Sequence, residues 1–243
     1  MKHTAHSALA ALRVLAAICG LLLAAGAQLA AQTDGSAPPI PRDDPEVMVR
    51  VATTRLLDTA RAARSYASED HERYYAAVEA VLDPVMDMRY FARGVMATWA
   101  SQRLYNSLET DAEKTAFRDR VERFVGASRR VFLVKYADAL LNFEGERIDV
   151  AALPTPNDDP DHASVQQTIY DVDGQTYTVQ YSLRRGKDGG WLVGNVIVEG
   201  VNLGQIYRNQ FAEAVEKNRG DVDYVVDHWE ALMTQDAAQG SGQ

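Results

Sequence analysis

Two hydrophobic periods divide this chain. From Asp44 to Tyr136 apolar residues recur at helical spacing, and from Asn142 to Glu199 they alternate or form short blocks. After Val201 the helical spacing returns. Asp44-Pro45-Glu46 reads as an N-cap, a first-turn proline and an acidic first turn. It opens a helix to about Ser65 that carries Val47, Val51, Leu56 and Leu57. Ser68, Glu69 and Asp70 open a second helix, with Tyr74, Tyr75, Val78 and Val81, which Asp83-Pro84 ends. A third is expected over Asp87 to Met96 and a short fourth near Trp99–Tyr105. Thr110-Asp111-Ala112-Glu113 is a capping box opening the longest helix, to about Tyr136. Phe117, Val121, Phe124, Val125, Ser128 and Phe132 share one of its faces, and Arg118, Arg120, Arg123, Arg129 and Arg130 lie largely on the others.

Strands are expected near Asn142–Asp149, Ala163–Tyr170, Thr176–Arg184 and Trp191–Glu199. Tyr177, Val179, Tyr181 and Leu183 alternate with polar residues, the pattern of a half-buried strand. Asp173-Gly174 and Lys187-Asp188-Gly189-Gly190 supply hairpin turns. Helices over Val201–Asn218 and Asp221–Thr234 follow, with Gly220 between them. Helices, then four strands joined by turns, then helices make an α+β domain. Its four-stranded antiparallel meander needs helices over at least one face.

The N-terminus changes where this domain is expected to work. Lys2 and Arg13 precede and begin an apolar run from Val14 to Ala25, no acid occurs before Asp34, and Ala25-Gly26-Ala27 offers small residues for cleavage. Residues 1–27 therefore read as a cleavable signal peptide, too short and too soon interrupted to span a bilayer. Ile18 before Cys19, with apolar sequence continuing after it, speaks against lipidation at that cysteine. Residues 28–44 read as a flexible linker, 45–235 as the folded domain and 236–243 as a disordered tail. Cleavage removes Lys2, Arg13 and no acid, so the formal charge moves from −9 to −11, and it removes the lone cysteine. An acidic, thiol-free chain argues against nucleic acid, lasting adsorption to an anionic bilayer, thiol catalysis and thiolate metal sites. The remaining chain is long enough to bury a core without disulfides.

Candidate chemistry is thin. His71, His162 and His228 stand at no metal-ligand spacing. Asn157-Asp158-Asp159-Pro160-Asp161-His162 is rich in oxygen ligands but lacks the alternation and the closing glutamate of a calcium loop. GxSxG, P-loop and GxGxxG motifs do not occur. Cone-shaped α+β folds can hold a general base in an apolar pocket, as in ketosteroid isomerase, and Asp138, Glu144 and Glu199 are the candidates here. That small-molecule enzyme reading rests on fold analogy alone. The aromatic residues say more. Phe124, Phe132 and Tyr136 on the long helix would face Tyr177, Tyr181 and Trp191 on the sheet, as a closed core or as the walls of an apolar cavity. Periodicity does not separate the two.

Two segments carry a resemblance. Val81-Leu82-Asp83-Pro84-Val85-Met86-Asp87-Met88, with Phe91-Ala92 and Trp99, is the first. Trp191-Leu192-Val193-Gly194-Asn195-Val196-Ile197-Val198-Glu199-Gly200-Val201-Asn202-Leu203, with Tyr207-Arg208-Asn209-Gln210-Phe211, is the second and more specific. Together they resemble the MlaC family, periplasmic phospholipid carriers also known as toluene-tolerance or ABC-transporter auxiliary components. The chain departs from the family pattern at Asn195 (usually Asp), Asn202 (usually Ser) and Ala97 (commonly Gly). The resemblance implies an acyl-chain pocket between sheet and helices, no cofactor, no metal and no catalysis. It implies lipid traffic between an outer-membrane lipoprotein–porin complex and an inner-membrane ABC transporter with its MCE-domain ring, maintaining outer-membrane lipid asymmetry. Apolar spacing on the elements the family uses nominates Val95, Phe124, Phe132, Tyr136, Val179, Tyr181, Trp191, Val193 and Ile197 as pocket lining. Each methylene leaving water is worth about 0.8 kcal/mol, so two chains of about fifteen would cost about 24 kcal/mol to expose; a carrier must cover them almost completely. Arg129 and Arg130 are placed either to meet lipid phosphate or an acidic partner, or to form a solvated face. A third reading is an adaptor that docks on a transporter without cargo.

Overall fold

The computed structural model describes residues 38–143, 147–154, 159–171 and 173–240. The signal peptide, linker residues 28–37, Glu144, the Asn157-Asp158 pair and the last three residues lie outside the described residues.

Each helix starts where its cap stands. Helix α1 (Pro45–Ala63) has Pro45 in its first turn, and the Asp44 carboxylate accepts from the Val47 N–H at 2.9 Å. Asp70 caps α2 (His71–Leu82) and Asp87 caps α3 (Met88–Met96) in the same way. A 3₁₀ turn (Ala97–Ala100) leads to α4 (Gln102–Ser107). Thr110 and Glu113 close the capping box of α5 (Asp111–Leu141). Its 31 residues carry it past the expected end at Tyr136, so the first strand starts later than its pattern implied.

The sheet has five strands in the order β1-β2-β3-β4-β5, all antiparallel. They are β1 (Arg147–Leu153), β2 (His162–Tyr170), β3 (Thr176–Arg185), β4 (Trp191–Val198) and the two-residue β5 (Val201–Asn202). The fifth strand corrects the expected four. Glu199 and Gly200 have φ of 49° and 76°, the left-handed pair that a tight two-residue hairpin needs. That turn folds Val201 and Asn202 back onto Val198 and Ile197. Helix α6 (Leu203–Lys217) then starts behind an Asn202 cap. The last expected helix is two, α7 (Val222–Asp227) and α8 (Trp229–Gly240).

Three apolar clusters hold these elements. The largest joins α3, α5, α6, α7 and α8 through Phe91, Val95, Phe124, Phe211 and Trp229. The second packs Met48 and Val49 of α1 and Val85 against Val165, Leu183 and Val193 of the sheet. The third joins α1, α2 and α5 through Ala60, Tyr74, Val78 and Ala137. The helices that pack closely on the sheet are α1, α3 and α6, whereas α5 lies chiefly against α1, α2, α3, α7 and α8.

Candidate ligand-binding face

Strand register decides which side chains share a face, because successive residues point to opposite sides. The inward rows read Ala163–Leu183–Val193, Ala152–Val165–Tyr181–Val196, Val150–Gln167–Val179–Val198 and Ile148–Ile169–Tyr177. The first row and Val165 are sealed under α1 and Val85. Further along the strands burial is mixed: Tyr181, Val196, Val179, Ile169 and Tyr177 are half-buried, whereas Val150, Gln167 and Val198 between them are buried.

This face holds few polar groups, and they satisfy one another. The Tyr181 hydroxyl donates to the buried Gln167 Oε1 at 2.5 Å, and Gln167 Nε2 donates to Thr53 Oγ1 of α1 at 3.4 Å. Burial alone pushes the Tyr181 phenol pKa up, with no charged neighbour contributing. From the helices, the Tyr136 and Tyr207 hydroxyls meet at 3.0 Å. Burial raises both of these phenols as well.

The nine nominated residues do not form one surface. Phe132, Tyr136, Val179 and Tyr181 are half-buried. Phe132 stacks edge-on against Phe91 at 5.1 Å and lies 5.5 Å from Tyr207, at the margin of the helical cluster. Val95 and Phe124 are sealed inside that cluster, and Trp191 and Val193 inside the second. Ile197 lies on the other face of the sheet. Leu183 pairs with Val193 but Ser182 with Asn195, so Gly194 is an extra residue on β4, a bulge. The bulge flips the phase of everything after it: Val196 and Val198 point inward, and Ile197 shares the outer face with Gln180. Strict alternation from Trp191 misses Val196 and Val198. The one sequence signal was Gly194, since a lone glycine in a strand pattern marks a bulge.

Other candidates have local employment. Arg129 bonds Glu79 and Asp83, and Arg130 bonds Glu72, tying α5 to α2. Arg130 holds the Glu72 carboxyl below its usual range. Glu199 accepts from the Thr178 N–H and hydroxyl across the hairpin, and Asp138 is exposed. His162 bonds Asp159 at 2.9 Å and His228 stacks on Tyr224. Among the described residues no helix is long and apolar enough to cross a membrane.

The MlaC protein family matches residues 50–231. The chain belongs to the MlaC family. It is 31% identical over 199 residues to the toluene tolerance protein ttg2D of Pseudomonas putida, covering 81% of this chain and 86% of that protein. The fold is also that of a phospholipid-binding protein from Ralstonia solanacearum, solved in complex with a phospholipid. The TM-score is 0.62 at 22% identity, over 79% of this chain and 98% of that one.

Within the MlaC frame, two departures from the family pattern touch each other. Asn195 Nδ2 donates to Asn202 Oδ1 at 3.0 Å, and Asn195 Oδ1 accepts from the Gly204 N–H at 3.0 Å. Asn202 also caps α6 through the Gln205 N–H. The amide pair thus links the β4 bulge to the start of α6. A side chain at Gly204 would collide with it, its Cβ falling 2.7 Å from Asn195 Oδ1.

Proposed function

We propose that the mature domain is a soluble periplasmic phospholipid carrier. It takes acyl chains between the open rows of the inward sheet face and helices α5 and α6, and it leaves the headgroup outside. The observation that carries this reading is that open face. Tyr181, Val179, Val196, Ile169 and Tyr177 share that face and stay only half-buried, which leaves apolar surface for a ligand to cover. Helices α1, α3 and α6 make the close approaches to the sheet, whereas α5 packs chiefly on other helices. A largely apolar face whose few polar groups bond one another suits hydrocarbon, which needs coverage rather than polar contacts. MlaC membership and the phospholipid bound in the Ralstonia protein of the same fold support this cargo. In this reading residues 1–27 direct export. The carrier then moves lipid between an outer-membrane lipoprotein–porin complex and an inner-membrane MCE-domain ABC transporter. The test is to purify the exported protein, extract it with organic solvent and analyse the extract by mass spectrometry. Phospholipid is expected to co-purify with the folded chain, and recovery of none would overturn the proposal.

A further inference from the structure

A second concave feature lies on the outer side of β4, behind the lipid-binding face. It is an open groove of about 710 Å³ between α3, the β3–β4 hairpin and the start of α6. In a chain of net charge −9, its walls carry five cations, Arg89, Arg93, Arg184, Lys187 and Arg208, and a single carboxylate, Asp87. The arginines of α5 show the contrast. Arg120 and Arg123 meet Asp223 and Asp227, and Arg129 and Arg130 meet carboxylates of α2 and its C-cap. In the groove, Arg184 is matched by Asp87 and Arg89 by Glu122. Arg93 and Arg208 instead donate to the backbone carbonyls of Ala100 (3.0 Å) and Gly94 (2.8 Å). A guanidinium has five N–H donors, so these bonds fix the two groups in place without neutralising them. Lys187 has no ion pair among the described residues.

An aromatic anchor stands beside these cations. Tyr90 is 52% exposed, one of the most exposed large apolar side chains described. Its ring lies where a Cβ on Gly194 would come within 3.0 Å, and the Arg184 guanidinium sits 4.9 Å from its centroid. The bulge glycine and the arginine hold the ring before anything binds. A fixed, exposed tyrosine ringed by arginines is the composition of a protein interface centre. Small-molecule sites are enclosed, whereas this groove is open. Its cations come from three elements, α3, the β3–β4 hairpin and α6.

We infer that this groove is a docking surface for an acidic segment of a partner protein, separate from the lipid-carrying face and independent of cargo. The remaining surface of an acidic chain repels such a partner, so the patch also sets the orientation of approach.

The test uses the purified full-length mature protein and a short fluorescein-labelled peptide rich in Glu and Asp. Binding is read by anisotropy and mapped by amide NMR shifts. Saturable binding is expected, centred on Tyr90, Arg93 and Arg208 and weakened by added salt. The double variant Arg93→Glu with Arg208→Glu should weaken it by about tenfold or more, and Tyr90→Ala should weaken it with the charges intact. The charge reversal Lys217→Glu, away from the groove, should leave it unchanged. All variants should stay folded, with native-like amide spectra, and keep wild-type phospholipid content, so a failure of docking is distinguishable from a failure of lipid carriage. Equal weakening by Lys217→Glu would overturn the assignment. So would preferential, groove-dependent binding of phosphatidylglycerol vesicles, or saturable competition by inorganic phosphate.

Discussion

Ala97 shows what one residue carries. Its φ of 49° and ψ of −113° belong to a region that only glycine enters freely, and it closes α3 at the position where the MlaC pattern commonly has glycine. Strain of this kind costs on the order of 1–3 kcal/mol, and glycine's greater freedom in the unfolded chain offsets part of the relief. Ala97→Gly should therefore stabilise the protein by about 1 kcal/mol, read as a rise in the urea midpoint at constant slope. The identity of residue 97 was legible, but its dihedral angles were not. They follow from how the 3₁₀ turn and α4 dock beside α3. Phe124 and Tyr181 teach a similar lesson. Spacing placed both on inward faces, yet Phe124 is fully enclosed by Phe211 and Trp229 while Tyr181 stays half-open.

At the scale of elements, the β4 bulge separates lining from surface. Val179→Trp and Val196→Trp should each lower the phospholipid recovered per chain. Ile197→Trp, one residue away but on the other face, should leave it unchanged. Quantitative extraction of the three purified variants checks this, and equal loss from all three would refute the phase shift. Charge ties the elements together elsewhere. Asp223 of α7 takes two bonds from Arg120 of α5, at 2.9 and 2.6 Å, and one from Arg123 at 2.6 Å. The Arg120 bond is the main cause holding the Asp223 carboxyl below its ordinary range. A depressed carboxyl stabilises the fold above the unfolded-chain pKa of about 3.9, and that contribution is lost as pH falls through the folded value. Asp223→Asn should therefore cost about 0.5–1 kcal/mol near neutrality, a modest figure because the pair is half-exposed and screened by solvent. The gap to the wild type should close as pH drops below about 4. Urea midpoints taken across that range test the sign, and a gap that persists in strong acid would contradict it.

For the whole molecule, the three apolar clusters leave Tyr181, Val196, Val179, Ile169 and Tyr177 of the inward sheet face only half-buried, so the proposed cargo would complete their burial. A ligand that binds only the folded state stabilises it by mass action. Delipidated protein should melt lower than protein as purified, and returning phospholipid should restore the melting temperature in a concentration-dependent way. Calorimetry before and after extraction measures it, and identical curves would argue against a buried lipid. The α+β class, the caps at Asp44 and Thr110, the inward phase of β3 and membership of the MlaC family were all legible in the sequence, whereas the second helix starts later than Ser68, behind an Asp70 cap. Caps and alternation need only neighbours a few residues apart, and a family pattern needs only residue identities. Tertiary structure alone decided the fifth strand, the facing of Ile197, and which aromatic residues are sealed and which stay open. It also decided which arginines are neutralised: Arg120 finds Asp223 across 103 residues, while among the described residues Arg93 and Arg208 bond backbone carbonyls instead of carboxylates. Burial and charge compensation are properties of contacts between distant parts of the chain. A single inserted residue in a strand reverses every side chain beyond it, and Gly194 hints at the bulge without fixing the register that follows it.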